Sequence, residues 1–223
     1  SKKFNIQSAL TKYSYNFSWA GVPVIQLPQD LICMQELIFK IKPDMIVETG
    51  IARGGSLIFY SSILSMIKSK YKVVGIDIDI RAHARKVLNT HKLAKKIITI
   101  KDSSLKKEVF KNVQKLKKKF PKVLVCLDSC HTENHVLEEL KLYSNLVSKG
   151  SYIVVFDSTC GTFDKKNMDK VAKNYNYKPF GKKSNPLTAI YKFLKINKNF
   201  KIDDSFNNKA LITNCLKGFL KKN

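Results

Sequence analysis

The chain has 223 residues, a formal net charge of +24 from 41 Lys and Arg against 17 Asp and Glu, and 44% hydrophobic residues. That length suits one good-sized α/β domain with a real core, and no run of eighteen apolar residues offers a membrane span. Five scattered cysteines without C-x-x-C argue against a disulfide framework or a zinc site and for reduced thiols in the cytoplasm.

The opening SKKFNIQSAL lacks a secretory apolar region. Residues 1–30 read as an irregular arm: Tyr13 to Trp19 is aromatic-rich, and Gly21, Pro23 and Pro28 punctuate an extended stretch. The arm is expected to pack over a single domain at 31–223, near its ligand. Apolar spacing predicts a helix over 29–41. Met45-Ile46-Val47 then reads as a strand ending at Glu48, followed by Gly50, Gly54, Gly55 and Ser56 and a helix over 55–68.

A strand, a glycine turn and a helix N-terminus form the local plan of a nucleotide site in an α/β sheet. The Gly-Lys-Ser/Thr end of a P-loop is absent, and so is the G-x-G-x-x-G spacing of a dinucleotide fold. A carboxylate at Glu48 suits a cationic or hydroxyl-rich ligand better than a pyrophosphate. The next strand, 72–77, ends at Asp77, where a second-strand acid takes a ribose diol. This pair of acids suits S-adenosylmethionine, its amino-acid end at Glu48 and its ribose at Asp77. Surface acids on an ordinary strand–turn–helix are the plain alternative, which the order and βαβ spacing of the pair make the weaker reading.

Further on, 79–89 reads as helix, 97–100 as strand, and Asp102-Ser103-Ser104 as a loop with a helix-capping signal. The Lys-rich helix over 105–119 is most simply a solvated face. Val123 to Leu127 is a buried strand ending at Asp128, 133–147 a helix, and Ser151 to Phe156 a strand ending at Asp157. Residues 158–187 are loop-rich, with a helix within 165–174 and a lid-like role on the substrate side. A short helix over 188–194 and strands at 200–202 and 210–213, a hairpin at the sheet edge, close the chain. The alternation predicts a doubly wound, mostly parallel sheet with ligands at the strand C-termini.

Asp128 and Asp157 close strands expected to be neighbours. Two carboxylates on one pocket, completed by water, suit Mg²⁺, which would orient a substrate hydroxyl and lower its pKa. His131, three residues past Asp128, has the chemistry to take the hydroxyl proton. A helix cap at Asp128 and a loop histidine are the plain alternatives, outweighed here by the cofactor half-site. His135, one helical turn on, reads as supporting or structural. The net charge admits nucleic acid, an anionic membrane or an anionic substrate. Lysines spread over loops and helix faces, without aromatic-and-basic RNA signatures, favour a solvated surface and no specific nucleic acid.

The stretches FSWAGVPVIQLPQDL (17–31), IVETGIARGGSLIFY (46–60), VVGIDIDIRAHAR (73–85), LDSCHTENHVLEELKLYSNLVSKGSYIVVFD (127–157) and NPLTAIYKFL (185–194) resemble the cephalosporin hydroxylase / rhamnosyl O-methyltransferase family. The resemblance implies a Rossmann-like class I methyltransferase fold, S-adenosylmethionine as cofactor and often Mg²⁺. By position, Glu48, Gly50 and Ser56 would hold the methionine end, Asp77 the ribose, and Asp102, Ser103 and Ser104 would lie near adenine. Asp128 and Asp157 match metal-ligand positions, His131 the general base, with Asp128 beside it in catalysis, and Asn185 would line the substrate side. Relatives with a well-formed metal site carry an acid where this chain has Phe156, and the family's DSNHTHEH reads DSCHTENH here, with Cys130 and Glu133 among the substituted positions. The metal site is therefore expected to be two-carboxylate and weak. An oxygenase would need two His and a carboxylate on iron, and no oxygenase pattern accompanies His131 and His135. The resemblance implies an O-methyltransferase for a sugar hydroxyl on a glycan, glycolipid or nucleotide-sugar precursor. An RNA methyltransferase and a non-catalytic cofactor-binding scaffold stay open, as does a homo-oligomer.

Overall fold

The computed structural model describes residues 2–175 and 184–223. Nine strands and nine α-helices alternate among these residues: α1 Lys2–Thr11, β1 Ser18–Trp19, β2 Val22–Pro23, α2 Pro28–Ile41, β3 Met45–Thr49, α3 Gly55–Ile67, β4 Lys72–Asp77, α4 Ala82–Thr90, β5 Ile97–Lys101, α5 Lys107–Lys117, β6 Val123–Leu127, α6 Glu133–Tyr143, β7 Tyr152–Val155, α7 Lys165–Asn174, α8 Pro186–Ile196, β8 Phe200–Ile202, α9 Asp204–Ala210 and β9 Phe219–Lys222.

Seven strands form one sheet in the order β5-β4-β3-β6-β7-β9-β8. The first five are parallel, and β9 runs antiparallel to both β7 and β8. The central strands are continuous apolar runs because both faces are covered. Along β3, Ile46 packs into one core layer, while Met45 and Val47 pack into the other. Strand order reverses between β3 and β6, so the crevice at their C-terminal ends is the switch point where open α/β sheets take ligands. Among the described residues, no helix is long and apolar enough to cross a membrane.

Two expectations need correction. Residues 1–30 are not irregular throughout: α1 and the short pair β1–β2 are regular. The helix packs through Ile6, Ala9 and Leu10 on Met168 and Val171 of α7, so tertiary contact sustains a segment that has no apolar stripe of its own. Of the strand expected at 210–213, Ala210 ends α9, which starts where Asp203 accepts the Ser205 N–H, and residues 211–213 form no strand. Its place beside β8 belongs to β9. Within 158–187, α7 forms over the span anticipated, and Pro179 and Gly181 lie outside the described residues.

The segment between β2 and α2 is drawn tightly inward: Val24 and Leu27 are buried, and so is Gln26. Asp30, in the first turn of α2, is fully buried and accepts hydrogen bonds from the Thr213 hydroxyl and the Asn214 N–H (2.8 Å). The arm is thereby tied to the loop that precedes β9.

Candidate active site

The turn after β3 takes left-handed backbone at Gly50 (φ 89°), Ala52 (φ 45°) and Gly54 (φ 85°). Gly50 is also required by space, because a Cβ there would lie 2.1 Å from the Asp128 carbonyl oxygen. β3 and β6 can meet this closely only at glycine. Gly54 caps α3 with no side-chain partner for the first helical N–H groups. These uncapped donors at the end of the helix dipole favour an anion.

Glu48 stands behind this turn rather than on its open face. It is fully buried and accepts hydrogen bonds from Ser56 Oγ (2.5 Å) and Tyr60 Oη (2.8 Å). Burial pushes its pKa up to about 7 against the lowering effect of the two hydroxyls, with the Asp77 charge adding to the rise. Through these two bonds Glu48 holds Ser56 and the start of α3. Asp77 accepts the Ile51 N–H at 2.7 Å and the Asp79 N–H at 3.0 Å. It braces the glycine turn while remaining partly exposed.

Asp102, Ser103 and Ser104 form the loop after β5. Asp102 accepts the Ser103 N–H and pairs with Lys106, whose ammonium holds the carboxyl below its ordinary range together with that N–H. Ser104 is buried, and its carbonyl accepts Tyr143 Oη. Its hydroxyl approaches His135 Nε2 at 3.4 Å, and the same nitrogen lies 3.2 Å from Ser129 Oγ and 3.3 Å from buried Glu139. The Glu139 contact raises the His135 pKa against burial. His135 thus ties the loop after β5 to the loop after β6, in agreement with its supporting role.

Asp128, His131 and Asp157 converge, with one ligand atom from each lying within 4.8 Å of the others. His131 Nε2 is 3.2 Å from Asp157 Oδ2. Asp157 sits in the left-handed region (φ 55°, ψ 15°), where the chain turns out of β7. That is an uncommon conformation for a residue other than glycine, held here by the adjoining turn. Asp128 Oδ2 accepts Gln26 Nε2 at 2.9 Å. Burial first, then the Asp157 and Glu48 charges, push the Asp128 carboxyl well up. Two facing carboxylates repel unless a proton or cation lies between them, and oxygen donors from two strand ends suit a hard divalent ion such as Mg²⁺. Phe156 is packed in the core layer with Val154 and Tyr152, so it offers no ligand atom.

Asn185 caps a helix. It is fully buried, accepts the Thr188 N–H, and its own N–H donates to the Thr188 hydroxyl, forming a capping box for α8. Asn–Pro–Leu–Thr is a readable helix-start signature, with a cap, Pro at the first turn and a hydroxyl at the third position. Gln26 is the site residue that sequence reasoning missed. Its one signal is a lone amide inside the apolar run Val24 to Leu27.

Asp30 and Glu48 both have folded pKa values raised to about 7, by burial in each case. A raised acid keeps its proton in the folded state at pH values where the unfolded chain has released it. Stability therefore falls as pH rises from the unfolded carboxylate range near 4 through about 7. The melting temperature near pH 5 is expected to exceed that near pH 7.5. A rise over that interval would show that these acids ionise without penalty.

A 3-2-1-4-5 parallel sheet extended by an antiparallel pair, with acids at its C-terminal edge, defines a Rossmann-like methyltransferase fold. The family described as rhamnosyl O-methyltransferase/CmcI matches residues 11–223, and the chain belongs to that family. Rhamnosyl O-methyltransferase from Mycobacterium bovis is 30% identical over 143 residues, covering 63% of this chain and 56% of the relative. The Mycobacterium leprae protein of the same name is 30% identical over 142 residues, covering 63% and 60%. The chain thus spans somewhat over half the length of these curated relatives. Among solved structures, an apo form of CmcI is similar at TM-score 0.62 and 17% identity, covering 93% of this chain and 76% of that one. A CmcI structure described with Mg and SAM is similar at TM-score 0.61 and 16% identity, covering 94% and 77%.

Proposed function

We propose that this chain is an S-adenosylmethionine-dependent O-methyltransferase acting on a sugar hydroxyl, with His131 as general base. The convergence of Asp128, His131 and Asp157 beside the Gly50 turn carries this reading. Family membership and the rhamnosyl relatives support the choice of a sugar, which rests on analogy rather than on geometry.

The cofactor, when bound, supplies the electrophilic methyl group. Gly50, Ser56 and the uncapped N–H groups of α3 would hold its methionine end, with Glu48 behind them. Asp77 would take the ribose, and Asp102, Ser103 and Ser104 would lie at the adenine. Asp128 and Asp157 would hold Mg²⁺, which lowers the pKa of a coordinated hydroxyl. His131 takes up the acceptor's hydroxyl proton at Nε2, and the imidazolium is then paired with the Asp157 carboxylate at 3.2 Å. Gln26 keeps Asp128 oriented by donating to one of its oxygens, leaving the other for the site. The main gain in rate comes from alignment of acceptor oxygen and methyl group.

The test is a screen of glycans and simple glycosides with methyl-labelled cofactor, followed by digestion and sugar analysis. Labelled O-methyl sugar is expected. Label in RNA with steep salt dependence would transfer the reading to nucleic acid, and cofactor binding without transfer would leave a scaffold. In parallel, calorimetry is expected to show wild type binding S-adenosylmethionine and Asp77→Ala binding it about tenfold or more weakly. Absence of binding by wild type would overturn the cofactor assignment itself.

A further inference from the structure

The end of the sheet opposite the site gathers cations. β3 to β7 are parallel, and β8 points the same way, because β9 runs antiparallel to both of its neighbours. All six strands therefore start at one end. An exposed lysine lies in the few residues before each of them: Lys42, Lys70, Lys95, Lys122, Lys149 and Lys198. Backbone bonds draw these segments together. The Asp44 N–H donates to the Lys122 carbonyl at 2.7 Å, the Lys72 N–H to the Asp44 carbonyl at 2.9 Å, and the Gly150 N–H to the Lys222 carbonyl at 2.9 Å. A cavity of about 510 Å³ opens among them, lined by Asp44, Ile67, Lys68, Lys70, Lys119 and Phe120. Asp44 is the one acid in the stretches 42–44, 68–71, 95–96, 117–122, 148–151 and 197–199, and it is already paired with Lys68. Among the described residues, none of the six exposed lysines is in an ion pair.

We infer that this basic end is a docking surface for an anionic lipid bilayer, which leaves the site at the strand C-termini facing water. The inference depends on neither the cofactor nor the acceptor. Helix capping accounts for part of the charge, since α2, α3, α5, α6 and α8 end here and a cation offsets the dipole at a helix C-terminus. Lys117, Lys198 and Lys222 donate to carbonyls at or just past the ends of α6 and α8. A bond to a carbonyl leaves the ammonium charge in place, and the exposed lysines recur strand after strand beyond what capping uses. Asp77, Asp102, Asp128 and Asp157 lie at the opposite ends of β4 to β7. Charge is thereby sorted along the strands, so a negative surface attracts one end of the molecule and repels the other. Apolar side chains stand among the lysines: Phe39, Met66 and Ile196, in the last turns of α2, α3 and α8, are each more than half exposed. Lysines interleaved with exposed apolar groups fit the boundary between headgroups and acyl chains. Nucleic acid is the weaker fit. Base stacking needs open aromatic rings, whereas Tyr71 and Phe120 are buried and the exposed ring, Phe39, lies under Lys42 Nζ at 5.5 Å. Arginine is the residue of paired phosphate and base contacts, and Arg53, Arg81 and Arg85 all follow the C-terminal ends of β3 and β4. Lysine point charges suit the diffuse potential of an anionic leaflet.

The experiment is co-sedimentation of the full chain, at physiological salt, with vesicles of phosphatidylcholine alone and of phosphatidylcholine mixed with phosphatidylglycerol. Wild type is expected to sediment with the mixed vesicles and to stay in solution beside the neutral ones. Lys118→Gln/Lys119→Gln/Lys122→Gln should lower partitioning onto the mixed vesicles about a hundredfold, because each lysine at an anionic surface contributes about fivefold. Lys86→Gln/Lys107→Gln/Lys111→Gln removes the same charge from α4 and α5 away from the strand starts, and should lower partitioning about threefold or less, because a charge beyond the screening length of the surface contributes little. Met66→Ser/Ile196→Ser should weaken binding severalfold and leave its salt dependence unchanged. All the substituted side chains are exposed, which keeps folding out of the comparison. Equal losses in the two triple variants overturn the docking surface, as does a wild type that ignores the mixed vesicles or binds both kinds alike. Random-sequence RNA serves as the rival probe in a gel-shift assay. If RNA binds more tightly than the mixed vesicles and the Lys118/Lys119/Lys122 variant loses it, the basic end is a nucleic-acid surface and the bilayer assignment is overturned.

Discussion

His131→Ala is expected to lower methyl transfer about a hundred- to ten-thousand-fold, the range for loss of a general base, with cofactor affinity unchanged. The imidazole reaches the site from the loop between β6 and α6, its Nε2 held 3.2 Å from Asp157. As the proposed base it would touch the acceptor, whereas the cofactor elements proposed above come from β3, β4, β5 and α3. A base on the acceptor should therefore alter turnover and its pH profile rather than cofactor binding. The check is single-turnover transfer beside calorimetry on the same preparation. Near-normal turnover of His131→Ala would return this histidine to a loop residue that pairs with Asp157. Equal losses in turnover and cofactor affinity would mean that it supports the site's shape.

The second large effect concerns the paired acids. Activity is expected to vanish in chelator and to return with Mg²⁺ at about millimolar concentration, the weak end for a site with few protein oxygens. Asp128→Asn should lose activity that added Mg²⁺ does not restore, because it removes one of the two carboxylates. Asn would still accept from Gln26, so the arm contact at Asp128 survives the change and folding is not the confounding variable. Magnetic-resonance titration with Mn²⁺ gives a readout apart from turnover: wild type should broaden signals near residues 128 and 157, and Asp128→Asn should not. Full activity in chelator would assign the carboxylates to hydrogen bonding alone.

The parallel half of the fold was legible because buried strands read as apolar runs that end in acids, and β3, β4, β6 and β7 all do. The C-terminal edge was less so. Ala210 to Thr213 looks like a strand, yet α9 ends at Ala210 and the chain turns away with Leu211 73% exposed. The true partner of β8 reads as a basic tail, since two of its four residues are lysines. Asn185, which the family resemblance places on the substrate side, also caps α8, a role its Asn-Pro-Leu-Thr sequence spells out locally. Glu48 was found as an acid at the right strand, but its partners on α3, Ser56 and Tyr60, lie eight and twelve residues further on and no local pattern names them. The Gln26–Asp128 bond joins residues 102 positions apart, and no local pattern encodes such a contact.

The arm's contact with α3 has a thermodynamic consequence. A Cβ at Gly55 would meet the Pro23 carbonyl oxygen at 2.2 Å, so the chain before α2 lies directly on the helix N-terminus. Pro23, Ile25 and Gln26 line one side of the cleft whose other side is the glycine turn, Ser56 and Asp128. A wall seated by buried neighbours at Val24 and Leu27 is ordered when the protein folds, not when a ligand arrives. Loops that organise on binding draw their ordering entropy from the ligand's affinity. Here that cost falls on folding, so on this side of the cleft the contact energy with a bound molecule is retained as affinity.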